Sequence, residues 1–481
     1  MKNYNRRKFL KTTTMSAAAL TAASTLASCT DNNIESISKG LYMGGFSAPK
    51  LDTVRVAFIG LGARGSGHLS SLASLEGVEV VAISDLYEDS CIRSSKVASE
   101  IGKGERHNNI AQYWGEENKW ELMLKEIKPD AVFISTNWNN HAPMAIKSME
   151  SGAHAFIEVP IAVSLKDMWK IVDTSERTQK HCMMMENVNY GRDELMYLNM
   201  CRNGVVGELL HAEAAYIHEL RFQMSQEERG TGSWRTHHYA TGNGNLYPTH
   251  GLGPVAQYMN LGRTDDSFKS IISYSSPARG RELYAKKNYS FDHKWNKLDY
   301  LNGDINTSII KTNIGRTVMV QWDETSPRPY TRHNLVQGTK GTLAGFPTRV
   351  AIEGGFEGVS KDHHSWIQGD KLEMLYEKYD HPLYKRLNQD TKNSGHGGMD
   401  GIMRYRIIEC LRNGLPLDQN VYEGCFWSAV TPLSGKSISE EGAPQKFPLV
   451  KSGNFCGAPS SEIDFPLSGV TALQKHPSYT F

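Results

Sequence analysis

Gly60-Leu61-Gly62-Ala63-Arg64-Gly65 follows the apolar run 54–59 directly and precedes a helix-like stretch. Glycines at this spacing permit a tight turn and close backbone approach. The helix that follows offers free N–H groups and a positive dipole end, a chemistry suited to pyrophosphate. A second apolar run, 78–84, ends in Asp85, 20 residues beyond Gly65. A carboxylate there accepts hydrogen bonds from both ribose hydroxyls and disfavours a 2′-phosphate, so the predicted cofactor is NAD rather than NADP. The competing reading is a glycine-rich loop of some other α/β enzyme, against which strand, glycines and acid are jointly placed. Tyr247 and His250 share a second loop, just before Gly251 and another helix-like stretch. Phenol and imidazole are acid–base types, and His250 is the first catalytic candidate, its alternative being a packed structural histidine. His237 and His238 are adjacent and therefore point different ways, with no third ligand at suitable spacing, so no metal is assigned.

The elements that must position these residues read as two kinds. Short apolar strands at 54–59, 78–84, 131–136 and 155–159 alternate with helical stretches, the pattern of a doubly wound parallel Rossmann sheet whose ligands bind beyond the strand ends. After Lys180 come longer alternating strands, 210–217, 305–311 and 317–322, which predict an α+β domain with a large open, mainly antiparallel sheet. A helix over 400–411, closed by Asn413-Gly414 and followed by Pro416, is expected to pack on that sheet. The domain reading is 1–29 leader, 30–51 tether, 52–180 NAD-binding domain, 181–450 substrate domain and 451–481 surface tail.

The 481 residues carry 53 Lys and Arg against 52 Asp and Glu, a formal charge of +1, and no basic stripe, which argues against a nucleic-acid partner. Asn5-Arg6-Arg7-Lys8-Phe9-Leu10-Lys11, followed by an Ala/Thr/Ser-rich segment at 12–27, is similar to a twin-arginine export signal, with Asn5 where Ser or Thr is usual. The segment is too short and polar to span a bilayer. Leu26-Ala27-Ser28-Cys29 resembles a lipobox, in which Cys29 would be acylated and hold a periplasmic or membrane-anchored lipoprotein. Ordinary cleavage near Cys29 and an uncleaved anchor are the alternatives. Six further cysteines form no CxxC pair and read as mostly buried thiols.

The order of elements resembles the glucose–fructose oxidoreductase and inositol dehydrogenase superfamily over nearly all of 52–450. Sugar dehydrogenases of that superfamily carry Glu-Lys-Pro where this chain has Glu158-Val159-Pro160, and an Asp four residues before the catalytic His where it has Leu246. Both parts of the alcohol-oxidation relay are altered. The local words instead look like glycoside hydrolase family 109, the NAD-dependent α-N-acetylgalactosaminidases: Gly62-Ala63-Arg64-Gly65-Ser66-Gly67-His68, Asn137-Trp138-Asn139-Asn140-His141, Glu158-Val159-Pro160, Glu186-Asn187-Val188, Trp234-Arg235-Thr236, Asn245-Leu246-Tyr247-Pro248-Thr249-His250-Gly251, Pro327-Arg328-Pro329-Tyr330 and Gly395-His396-Gly397-Gly398-Met399-Asp400.

The resemblance implies NAD contacts from Ala63, Arg64, Asp85, Trp138, Asn139, Asn140, His141, Glu158, Val159 and Asn187, beside Gly60, Gly62 and Gly65. It implies sugar contacts from Tyr216, Arg235, Tyr247, Pro248, Thr249, His250 and Tyr330. Plainer roles stand beside these: Trp138 capping the sheet, Tyr216 and Tyr330 packing, Arg235 in a surface ion pair. The implied reaction removes terminal α-linked N-acetylgalactosamine from a glycan. Hydride passes from C3 to NAD, the ketone acidifies C2–H, the C1 substituent is eliminated, water adds, and the steps reverse with no net redox. Tyr247 and His250 would share the proton transfers. Two other readings are a net sugar dehydrogenase and a non-enzymatic glycan-binding lipoprotein. Association through the open sheet, giving a homo-oligomer, is a further implication of the superfamily.

Overall fold

A computed structural model of the chain describes residues 42–102, 106–263, 266–356 and 364–448; the leader, Cys29, Cys456 and the tail lie outside the described residues. The first sheet contains β1 (Val54–Ile59), β2 (Val78–Asp85), β3 (Ala111–Trp114), β4 (Ala131–Ile134), β5 (His154–Ile157) and β6 (Cys182–Met184), in the order β3-β2-β1-β4-β5-β6. Every pairing in it is parallel. Central β4 and β5 are buried at every position, as strands covered by helices on both faces must be. The stacked rings of Phe58, Phe133 and Phe156 run across β1, β4 and β5 at 5.5 and 4.9 Å between centroids.

The sequence reading anticipates four of these six strands. β3, with a half-exposed Ala-Gln-Tyr-Trp, has no apolar run to betray it, and β6 is three residues long. The strand order reverses between β1 and β4, which opens a crevice above their carboxyl ends. Helices α1 (Ala63–Ala73), α2 (Glu88–Ile101), α3 (Lys119–Ile127), α4 (Trp138–Glu150) and α5 (Leu165–Thr178) wind the sheet.

After α6 (Arg192–Arg202), the chain builds a second sheet from β7 (Leu209–Ile217), β8 (Phe268–Ser275), β9 (Ile305–Thr312), β10 (Thr317–Asp323), β11 (Leu335–Gly338), β12 (Gly341–Ala344), β13 (Arg349–Ile352), β14 (Ile367–Gln368) and β15 (Gln445–Lys446). Its nine strands run in the order β14-β13-β12-β11-β7-β10-β9-β8-β15. All neighbours are antiparallel except β7 and β10. Helices α7 (Thr231–Thr241) and α8 (Thr249–Tyr258) lie in the long connection between β7 and β8.

The helix expected over 400–411 spans Met399–Asn413 and ends on left-handed Gly414, φ +64. Its placement differs from expectation. It packs against α1 and the turn Asn187–Tyr190 instead of the open sheet, because Asp400 and Arg404 meet their ionic partners there. The five described cysteines outside the leader are free thiols.

Candidate active site

A cleft of about 1660 Å³, counting its open mouth, lies above the crevice. Two glycines of the first loop are dictated by sterics. Gly60 has φ +86 and a Cβ there would sit 2.6 Å from the Ser135 carbonyl oxygen, while a Cβ on Gly65 would sit 1.8 Å from the Gly60 oxygen. Helix α1 starts at Ala63 with Gly62 as N-cap and no side chain capping it, so its first-turn N–H groups stay available at the cleft floor. The Asp85 carboxylate, at the end of β2, accepts hydrogen bonds from Leu61 N at 2.6 Å and Tyr87 N at 3.0 Å, which fixes it at the rim. A cradle without side chains, an uncapped helix start and a pinned carboxylate fit a dinucleotide.

Gly60, Gly62, Ala63, Arg64, Asp85, Trp138, Asn140, His141, Glu158 and Val159 all line this cleft. Trp138 opens α4, whose start is held by the Asn137 side chain accepting from Asn140 N at 3.2 Å; such a cap contributes about 1 kcal/mol. The ring is 3% exposed and packs edge-on to Trp234 at 5.0 Å, so it both caps the sheet and walls the cleft. His141 approaches Pro160 O at 2.7 Å and Thr136 O at 3.1 Å, fastening two loops. Asn139 is exposed and does not line the cleft, and Gly65 sits behind its floor.

Beneath Arg64 is an ionic network that sequence reasoning does not reveal. Arg64 Nε donates to Glu158 Oε1 at 2.7 Å and Nη1 to Asp400 Oδ2 at 2.9 Å. Asn187 Nδ2 donates to Asp400 Oδ1 at 2.6 Å, while Asn187 Oδ1 is buried without a partner. Arg404 Nε donates to His68 Nδ1 at 2.8 Å. The His68 proton therefore resides on Nε2, which donates to Glu158 Oε1 at 2.7 Å. Burial pushes the His68 imidazole down to about 4, keeping it neutral. Burial alone would raise Glu158, but the Arg64 charge and the His68 hydrogen bond outweigh it and hold the carboxyl below the usual range.

The second loop lies at the start of α8, with Pro248 as N-cap and Thr249 as first helical residue. Glycine makes its position possible: a Cβ on Gly251 would lie 2.3 Å from Ala215 N on β7, and one on Gly253 would meet Glu186 and Asn189 at 3.0 Å. His250 Nδ1 thereby lies 2.5 Å from Glu186 Oε1. Glu186 follows β6, is fully buried, and its other oxygen has no partner among the described residues. The His250 side chain remains 16% exposed, and its Nε2 has no hydrogen-bond partner among the described residues.

Around this pair the rings of Tyr247, Tyr216 and Tyr330 converge. Tyr247 is 4.9 Å from His250 and 4.7 Å from Tyr216 between centroids, and Tyr330 meets Tyr216 edge-on at 6.2 Å. Burial raises the Tyr247 hydroxyl far above its ordinary value, so it stays protonated. Tyr216 Oη is 2.9 Å from His218 Nδ1. Arg235 lies over Trp138 at 4.8 Å and Tyr247 at 5.1 Å from the ring centroids, with Nη1 3.6 Å from Glu324. Its ion pair is thus real but buried, and Tyr239 donates to the same carboxylate.

Glu186, His218, Glu324, His68 and Asp400 complete the site without having been given roles from the sequence. His68, Glu186 and Asp400 stand in words that match the family, and Glu186 also follows a strand of the parallel sheet, where ligand-facing residues collect. The aromatic group that continues from the inner cleft suits the face of a sugar ring, with an oriented imidazole to move protons.

Two family models and several relatives match the chain. The family described as "Glycosyl hydrolase 109, C-terminal domain" matches residues 190–456, and "Oxidoreductase family, NAD-binding Rossmann fold" matches residues 54–186. Glycosyl hydrolase family 109 protein 1 of Akkermansia muciniphila is 62% identical over 417 residues, 86% of this chain and 85% of its own. The family 109 protein of Shewanella pealeana is 52% identical over 445 residues, 92% and 95% of the two chains. Levoglucosan dehydrogenase in complex with NADH and levoglucosan shares the fold, with a TM-score of 0.61, 15% identity, and coverage of 82% of this chain and 100% of its own.

Proposed function

The chain belongs to glycosyl hydrolase family 109, a glycoside hydrolase on an NAD-binding Rossmann fold, and from that premise we propose that it releases terminal α-linked N-acetylgalactosamine through a cycle with no net redox. The glycine loop, the α1 N-terminus and Asp85 would hold NAD, which when bound would supply a reversible hydride acceptor for sugar C3. The remaining chemistry falls to side chains. Tyr247 and His250 share the proton transfers: the C3 hydroxyl gives its proton to this pair as it becomes a ketone. His250, oriented through Nδ1 by Glu186, then takes the C2 proton through Nε2 while the pair returns a proton to the oxygen leaving C1, giving an enone and a departing alcohol. Tyr247, kept protonated by burial, donates toward the sugar oxygens. Water then adds at C1, C2 regains a proton, and the C3 ketone is reduced. Asp85 serves the ribose, the α1 N-terminus the pyrophosphate, and Arg235 with Tyr216 and Tyr330 the sugar.

The observation that carries this reading is the state of the inner carboxylates. A glycosidase of the ordinary kind needs two carboxyl groups flanking the scissile bond. Here Glu158 is engaged by Arg64 and His68, Glu324 is buried beneath Arg235, and Glu186 is sealed behind His250. An imidazole base is what reaches the sugar.

Incubation of the purified protein with a chromogenic α-N-acetylgalactosaminide, without added NAD, tests the proposal. Chromophore release without NADH accumulation, and deuterium at C2 of product formed in heavy water, are expected. NADH accumulating in step with product once free NAD is added would instead identify a net sugar dehydrogenase. Export by the twin-arginine route with lipidation at Cys29 belongs to the same proposal. It is checked by the mass of the mature N-terminus, and an unprocessed Met1 would exclude it.

A further inference from the structure

The wall of the cleft opposite the glycine loop comes from the substrate domain and carries no recognisable cofactor motif. It is rooted in a small separate core where Met224, Ala285 and Trp295 are fully buried. Trp295 Nε1 donates to Met224 O at 2.8 Å, His293 Nε2 lies 2.9 Å from Glu227, and Lys294 donates to Glu227 O at 3.0 Å and to the Glu228 carboxylate at 2.8 Å. From this root the chain crosses to the nucleotide domain. Arg229 Nη1 donates to both carboxylate oxygens of Asp89 at 3.0 Å, Nη2 donates to Ser90 Oγ, and the guanidinium lies 4.1 Å from the centroid of the Tyr87 ring. Tyr87 Oη reaches Glu228 O at 3.4 Å. Gly230, at φ +105, then turns the chain into α7, which delivers Trp234 and Arg235 to Trp138.

Tyr87, Asp89 and Ser90 stand at the start of α2, immediately beyond Asp85. Residues 226–230 therefore bridge the cleft at the end where Asp85 would meet the adenosine ribose, and Gln226, Glu228, Arg229 and Gly230 line that same cleft. We propose that residues 226–230 form a strap over the adenosine half of NAD, latched by Arg229 onto Tyr87, Asp89 and Ser90, and that the latch retains the dinucleotide from one turnover to the next. A catalyst that returns its hydride has no need to exchange its coenzyme, whereas a net dehydrogenase must let NADH out every cycle. The strap serves the former. The latch rests on NAD binding, and its retention from one turnover to the next rests on the proposed reading without net redox.

Its test uses holoenzyme loaded with radiolabelled NAD and chased with excess unlabelled NAD, with no sugar present, so retention and hydrolysis fail separately. Removing a guanidinium that joins Asp89, Ser90 and the Tyr87 ring by Arg229→Ala is expected to speed dissociation about tenfold. Asp89→Asn, made on the far side of the cleft, changes the rate in the same direction. Arg93→Ala removes another cation from Asp89 without spanning the cleft and leaves the rate unchanged. The proposal is overturned by an unaltered rate in Arg229→Ala, or by equal acceleration in Arg93→Ala, which would reduce the effect to charge at Asp89. Thermal melting of the cofactor-free variants confirms that each is folded.

Discussion

The protein holds two histidine–glutamate pairs within its site, and they have opposite characters. His68 lies 2.7 Å from Glu158 and His250 lies 2.5 Å from Glu186. His68 is fully buried, its second nitrogen accepts from Arg404, and its partner carboxylate is shared with Arg64. Every donor and acceptor is committed, so the pair braces the loop that carries the glycines. His250 is open on one side, and the carboxylate behind it has an oxygen to spare. The two pairs thus differ in the free valence left on the imidazole, which only His250 offers to a substrate.

The sharpest way to break this comparison is to delete each ring in turn. His250→Ala is expected to lower turnover by about 10³-fold while NAD content is preserved, since it removes the proposed general base. Near-normal turnover would end its catalytic role. Glu186→Gln retains the hydrogen bond but loses the charge that steadies an imidazolium, with an expected fall of about 10²-fold at nearly constant KM. Rates and cofactor absorbance on the same samples check both.

His68→Ala should behave differently, destabilising the fold by about 3 kcal/mol by stranding Glu158 and Arg404, with turnover at saturating NAD reduced less than tenfold. A denaturant titration measures the first, and a catalytic loss as deep as that of His250→Ala would erase the distinction.

The smallest effect is on pH dependence. Burial lowers His68 from 6.5 to about 4. The unfolded chain then gains a proton below pH 6.5 that the folded chain refuses until about pH 4, so the contribution is intact above 6.5 and is lost on acidification through that interval, up to about 3 kcal/mol. His238, lowered to about 4, and His181 and His381, lowered to about 3, act in the same sense. His68→Gln should therefore flatten, not abolish, the fall in melting temperature between pH 7 and pH 5.

What the sequence disclosed divides along the same line. The glycine loop and Asp85 were legible because their constraints are local: φ +86 at Gly60 and the absent Cβ at Gly65 are properties of a few consecutive residues. Tyr247 and His250 were legible as types in one loop. Glu186, 64 positions from His250, has no neighbour in the chain that announces its partner. Nor does a helical pattern tell which surface receives the helix: 400–411 reads as a helix on the open sheet, whereas the pairing of Asp400 with Arg64 holds it against α1. Asn139 shows the converse: it belongs to a word that matches the family, yet its side chain faces outward.

The bond between Arg64 and Asp400 joins positions 336 residues apart. A nascent polypeptide that has completed its glycine loop still lacks the carboxylate that fastens that loop, and acquires it only 336 residues later. Coenzyme loading should then be a late event, and the amount of dinucleotide that copurifies becomes a gauge of how many molecules have finished assembling.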